Sequence, residues 1–132
     1  MALTLDDGKR VVQAAIARAV ALNIKISVAV CDEGGRLTAF SRMDGAIWAS
    51  TLGAQGKAIA SAAFRRPSGD LAPRADSPII RGIAAAEGGH LIPSQGGVPL
   101  SKGGEVVGAC GVGGGTSEQD EDCARAGAAA IA

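Results

Sequence analysis

The residues predict an α+β domain, a mainly antiparallel sheet of five strands flanked by helices. Two observations carry this expectation. A helix, a hairpin and a long helix open the chain, whereas the second half is a series of short apolar runs separated by glycine pairs and closed by a final helix. Turns as short as a glycine pair cannot make parallel crossovers, which need about a dozen residues or more, so neighbouring runs pair antiparallel. No internal repeat or linker interrupts the 132 residues, and a single domain over 1–132 is expected.

Thr4 stands three residues before Asp7, as in a capping box with Asp in place of Glu or Gln, and Val12, Ala15, Ile16, Ala19 and Leu22 recur at helical spacing. Asn23 closes this first helix in the left-handed conformation. Ile24, Ile26, Val28 and Val30 alternate with Lys25, Ser27, Ala29 and Cys31, a period of two that places the β-branched residues on one face of a strand. Asp32-Glu33-Gly34-Gly35 supplies a turn, and Arg36 to Arg42 is the returning strand of a hairpin. Met43-Asp44-Gly45 breaks it. Ala46 to Arg65 reads as a long Ala-rich helix in spite of Gly53 and Gly56. Each glycine costs about 1 kcal/mol relative to Ala, which close approach of another element would offset.

Pro67 ends that helix, 67–78 is a loop with one helical turn after Ser68, and Ile79 to Ala86 forms a short helix. Glycine pairs then set off His90 to Ile92, Val98 to Ser101 and Glu105 to Val112, the last two joined as a hairpin through Lys102-Gly103-Gly104. Thr116 or Ser117 caps a final helix reaching Ala132, with Glu118, Asp120, Glu121 and Asp122 where acids complement the helix dipole.

Composition narrows the function. Thirteen Lys and Arg balance thirteen Asp and Glu, and Phe40, Phe64 and Trp48 are the only aromatic residues, which argues against a nucleic-acid partner. No apolar run approaches the ~18 residues of a membrane span, so a soluble chain with no membrane partner is expected. Cys31, Cys110 and Cys123 form no CxxC pair, and the N-terminus has Asp6 and Asp7 where a secretory signal has basic residues; both observations predict a reducing, cytoplasmic setting. Helices and strands faced with Ala, Val and Ile leave flat surfaces that suit burial against a second subunit, so a homo-oligomer is expected.

Four segments together resemble the GlcG/HbpS family: ISVAVCDEGGRLTAFSRMDG from Ile26, GKAIASAAFRRPS from Gly56, GGVPL from Gly96 and GEVVGACGVGGGTSEQDEDCARAG from Gly104. The family includes haem-binding members and the C-terminal domain of PduO-type proteins. The resemblance spans nearly the whole chain and implies a profilin-like or roadblock-like domain assembled as dimers, tetramers or octamers. It also implies a small-molecule ligand, whether haem, a corrinoid-like cofactor or a small organic acid, in a setting of small-molecule catabolism. Arg42, Asp44 and Gly45 occupy an "ARMDG"-like element, Lys57 and Ala58 a "KA" element, and Pro67 and Ser68 an "RPS" element. Gly111, Gly114, Gly115, Thr116, Gln119 and Asp120 match "GVSGGTPEQD", with Gly113 in place of Ser and Ser117 in place of Pro.

Haem needs an axial ligand, and His90 is the chain's one imidazole, either an iron ligand or an exposed residue at a strand edge. The three cysteines read as small core residues. The loop from Gly111 to Thr116, with Gly114 and Gly115, either presents amides to an anion or is a tight turn; it lacks the Lys of a phosphate loop, and the neighbouring acids repel phosphate. Lys57, beside Gly56, is either a solvated surface residue or a desolvated acid–base group in a pocket. Arg42 and Asp44 bind a carboxylate or pair with each other or with a neighbouring subunit. Glu118 with Asp120 and Asp122 either ligates a hard cation or complements the dipole. No Ser-His-Asp set is legible. A small-ligand-binding protein is the leading expectation, with Arg42, Lys57, Gly114, Gly115, Thr116 and Glu118 as ligand contacts. The alternative is a lyase, isomerase or hydratase acting on a small organic acid, with Lys57 catalytic beside Asp44 or Glu118 and Arg42 in the pocket.

Overall fold

Thr4 Oγ1 accepts from the Asp7 N–H at 3.0 Å, and the Asp7 carboxylate accepts from the Thr4 N–H at 3.0 Å. This reciprocal box starts α1 (Leu5–Ala21) in the computed structural model, which describes residues 1–132. Asn23 takes the left-handed conformation just beyond, at φ 57°. The elements that follow are β1 (Ser27–Asp32), β2 (Leu37–Arg42), α2 (Ala49–Phe64), a 3-10 helix (Ser68–Arg74), α3 (Pro78–Ala86), β3 (Gly97–Lys102), β4 (Glu105–Gly113) and α4 (Ser117–Ala129).

The sheet is antiparallel throughout, in the order β2-β1-β4-β3. It has four strands where the residues predict five. His90 to Ile92 is extended but pairs with no strand; the Ile92 N–H donates instead to the Gly56 carbonyl of α2 at 3.0 Å. The donor that a neighbouring strand would use is taken by a helix, which removes the segment from the ladder.

Helices cover both faces. Val28 and Val30 point with Leu100, Cys110 and Val112 toward α1 and α4, forming the main core with Val11, Ala15 and Cys123. The alternate residues Ala29, Cys31 and Ala109 meet Ala54, Ala58 and Ala62 of α2. The period of two is as read from the sequence, but its small-residue face is buried as well.

The α2 face explains the glycines of β4. A Cβ at Gly111 would strike the Ala54 carbonyl and lie 2.5 Å from the Ala58 nitrogen; one at Gly113 would lie 2.9 Å from the Ser50 carbonyl. Ser50, Ala54 and Ala58 recur every four residues, so one ridge of α2 rests directly on a glycine track. At the head of this contact Ser50 Oγ donates to the Ile47 carbonyl at 2.6 Å and accepts from the buried Ser27 Oγ at 2.8 Å. The predicted close approach is present at Gly56, where a Cβ would strike the Ile92 side chain and lie 2.8 Å from the His90 carbonyl. Gly53 meets nothing within 4 Å. No helix is long and apolar enough to cross a membrane.

Candidate functional site

The β1–β2 turn, α2 and the end of α3 enclose a groove. Asp32 Oδ1 accepts from the Gly34 and Arg36 N–H groups at 2.9 and 3.0 Å, and this turn holds the Arg36 side chain over the sheet. Opposite, α3 stops at Glu87; Gly88 and Gly89 follow at φ 72° and 80° and turn the chain so that His90 returns to α2. Between them lies a cavity of about 200 Å³ with Ala29, Cys31 and Ala58 at its base, Leu37 and Ile59 as apolar lining, and Arg36, Gln55, Glu87 and His90 as its polar groups. A second cavity of about 130 Å³ shares Gly35, Ile59 and Glu87 with the first and continues to Ile83 and Leu91.

The Cys31 thiol is pushed up to about 12 by burial, so it stays neutral and apolar in this groove. Arg36 Nη1 donates to Glu87 Oε1 at 2.8 Å. His90 is exposed and has no hydrogen-bond partner for its imidazole. Arg36, Gln55, Cys31 and Glu87 escaped the sequence reading as site residues. The available signal was the pair of glycine turns, Gly34-Gly35 and Gly88-Gly89, beside two charged residues.

The other candidates lie elsewhere. Lys57, its side chain 12% exposed, donates to Asp120 Oδ2 at 2.9 Å and to the Val112 carbonyl at 3.0 Å. Asp120 Oδ1 in turn accepts from the Gly115 N–H at 2.8 Å. Thr116 and Gln119 form a second capping box: Thr116 Oγ1 accepts from the Gln119 N–H at 3.2 Å, and Gln119 Oε1 accepts from the Thr116 N–H at 2.9 Å. The amides of Gly115 and Thr116 are thus spent on α4 itself, and Lys57 is a buried tie between α2 and the glycine loop.

Gly114 sits at φ 117°, and a Cβ there would strike the Lys25 carbonyl. The three α4 acids weighed as cation ligands diverge: Asp120 goes to Lys57, Asp122 to Arg18 through two hydrogen bonds of 3.1 and 2.9 Å, and Glu118 is exposed. Arg42 donates to the Ala46 carbonyl at 3.1 Å, and Asp44 is exposed in the turn beyond. The structure therefore brings Lys57 together with Gly115 and Thr116, but gathers Arg42, Asp44, Lys57 and Glu118 around neither of the groove's cavities.

An antiparallel sheet clad by helices on both faces, with a groove beside one of them, defines a small α+β domain. Residues 3–129 match the family described as haem degrading protein HbpS-like, and the chain belongs to that family. It is 30% identical over 119 residues to an uncharacterised 15.0 kDa protein of the dhaT-dhaS intergenic region of Citrobacter freundii, covering 89% of this chain and 84% of that protein. It is 31% identical over 137 residues to the corrinoid adenosyltransferase PduO of Salmonella typhimurium, covering 99% of this chain and 39% of PduO. The crystal structure of PduOC in complex with haem superposes with a TM-score of 0.87 at 30% identity, over 99% of this chain and 96% of that one.

Haem asks for an axial donor and an apolar bed. Of the residues here, His90 would offer the donor, and Leu37 and Ile59, above the buried Ala29 and Ala58, the apolar lining. Cavities of about 200 and 130 Å³ are small beside the ~300–1,000 Å³ of sites that enclose a drug-sized ligand, so neither would enclose a macrocycle.

Proposed function

We propose that the chain is a small-ligand-binding protein whose site is the groove beside α2 and whose ligand is haem, held through His90. The observation that carries this reading is a single imidazole, without a hydrogen-bond partner, bordering an apolar groove. Membership of the HbpS-like family and the likeness to PduOC in complex with haem support it. When bound, haem would supply an iron with an open coordination position. The residues of the chain contribute the nitrogen ligand, the apolar bed and the charges that meet the ligand's acidic edge. A corrinoid-like cofactor uses the same donor chemistry and is told apart by its absorbance.

A ligand left partly at the surface is better covered in a homo-oligomer, and a second copy of the chain is the proposed partner. The three cysteines are free and buried, which supports a cytoplasmic setting.

Titration of hemin into the purified protein tests the site. A saturable, shifted Soret band is expected for the wild type, and His90→Ala should lose at least about tenfold in affinity, about 1.4 kcal/mol. Either no shift in the wild type or an unchanged titration in His90→Ala would overturn the reading.

A further inference from the structure

We propose that Glu87 is a built-in stand-in for the carboxylate of the ligand, and that the groove selects molecules with an apolar body and a carboxylate that displaces Glu87 from Arg36. This deepens the reading of the groove given above and rests on it.

Three features place Glu87 in that role. It caps the C-terminal end of α3, where the helix dipole disfavours an anion and basic residues are preferred. Its Oε1 is paired across the groove with Arg36, a residue 51 positions away whose contact with Glu87 is the one hydrogen bond its guanidinium makes. A guanidinium carries five donors in a planar fork suited to a carboxylate, so Arg36 retains donors that a second carboxylate can take.

The pair also lies where it matters for volume. Glu87 lines both cavities, so the Arg36 contact stands where the 200 and 130 Å³ spaces adjoin. Releasing it would open one trough of a size ordinary for small ligands. Both partners adjoin glycine turns, Gly34-Gly35 before Arg36 and Gly88-Gly89 after Glu87. The charged groups facing the trough orient its occupant: the Arg36 guanidinium stands beside the larger cavity and Glu33 beside the smaller, so the acidic end lies toward Arg36.

The test compares 2-naphthoate with 2-naphthamide by calorimetric titration, and hemin with its dimethyl ester by absorbance, in the wild type, Glu87→Gln, Arg36→Met and the double variant. Glu87→Gln should tighten 2-naphthoate about three- to fivefold, the scale of an exposed charge pair, while leaving the amide unchanged. Arg36→Met should erase the preference for the acid over the amide, and the double variant should show no gain. High salt should shrink the Glu87→Gln gain. Hemin should follow the acid and its ester the amide. If Glu87→Gln binds the acid no better than the wild type, or gains equally for the amide, the proposal is overturned; absence of naphthoate binding to every form also overturns it. Absence of hemin binding together with naphthoate binding that responds to Glu87→Gln would remove haem and leave the carboxylate exchange standing.

Discussion

At the start of α1, Asp7 Oδ2 accepts from Lys102 Nζ at 2.8 Å and from the Thr4 N–H at 3.0 Å, tying the first helix to the end of β3. The Lys102 hydrogen bond, followed by that from Thr4, lowers this carboxyl from the ordinary 3.8 to about 2. A carboxyl lowered in the folded state adds stability that is complete above its unfolded value and is lost as pH falls through its folded one. The wild type should therefore lose urea resistance between about pH 4 and pH 2, and Asp7→Asn should be weaker at pH 6 but flatter across that window; parallel profiles for the two proteins would exclude Asp7. Half of this contact was legible: the spacing of Thr4 and Asp7 announces the capping box, whereas Lys102 lies far along the chain and nothing local points to it. The same holds for Lys57. Its place beside Gly56 marked it as unusual, but its partner Asp120 becomes visible only once α2 and α4 are packed. His90 was legible as the one imidazole available, while its position beside a groove depends on the return of the chain after Gly89.

Among the elements, α2 carries the sharpest test of packing because it contains two glycines and rests on others. Gly53→Ala puts a methyl into open space and removes a flexible residue from a helix interior, so it should stabilise by about 0.5–1 kcal/mol. Gly111→Ala drives a methyl into the backbone of α2, which cannot swing aside as a side chain can, and should cost about 1–3 kcal/mol or more. Denaturation midpoints that move in the same direction for both would refute the glycine track. The helices and both hairpins were legible because their periodicity and turn residues are local. The fifth strand was misread because His90 to Ile92 is short, apolar and bounded by glycine and proline, features shared by a strand and by an extended segment lying on a helix.

At the scale of the whole molecule, the most conspicuous surface is the start of α2, where Ile47, Trp48 and Leu52 are 67%, 70% and 59% exposed. One buried aromatic side chain removes about 150–250 Å² from water, so this cluster can form the apolar centre of an interface of about 800 Å² per partner. A twofold pairing of copies would bring the same patch together from both sides and match its chemistry without a different partner. Trp48→Glu should weaken self-association by roughly 2 kcal/mol or more, read by light scattering as a fall in mass at fixed concentration with an unchanged circular dichroism spectrum. Retention of the wild-type mass would move the interface elsewhere. An oligomer was expected from the flat, small-residue composition, but the patch itself was not legible, because which side of α2 faces outward depends on how the helix packs on the sheet.

The order β2-β1-β4-β3 has a consequence for how the chain acquires its structure. The central pairing joins Ser27 to Gly113, and α1 lies against α4, so each half of the sequence owns one side of the central seam. An N-terminal fragment ending after α2 would hold a hairpin with its inner edge unpaired, and a C-terminal fragment would hold another. Neither could close a core by itself. Folding is expected to be all-or-none and paced by that distant β1–β4 encounter.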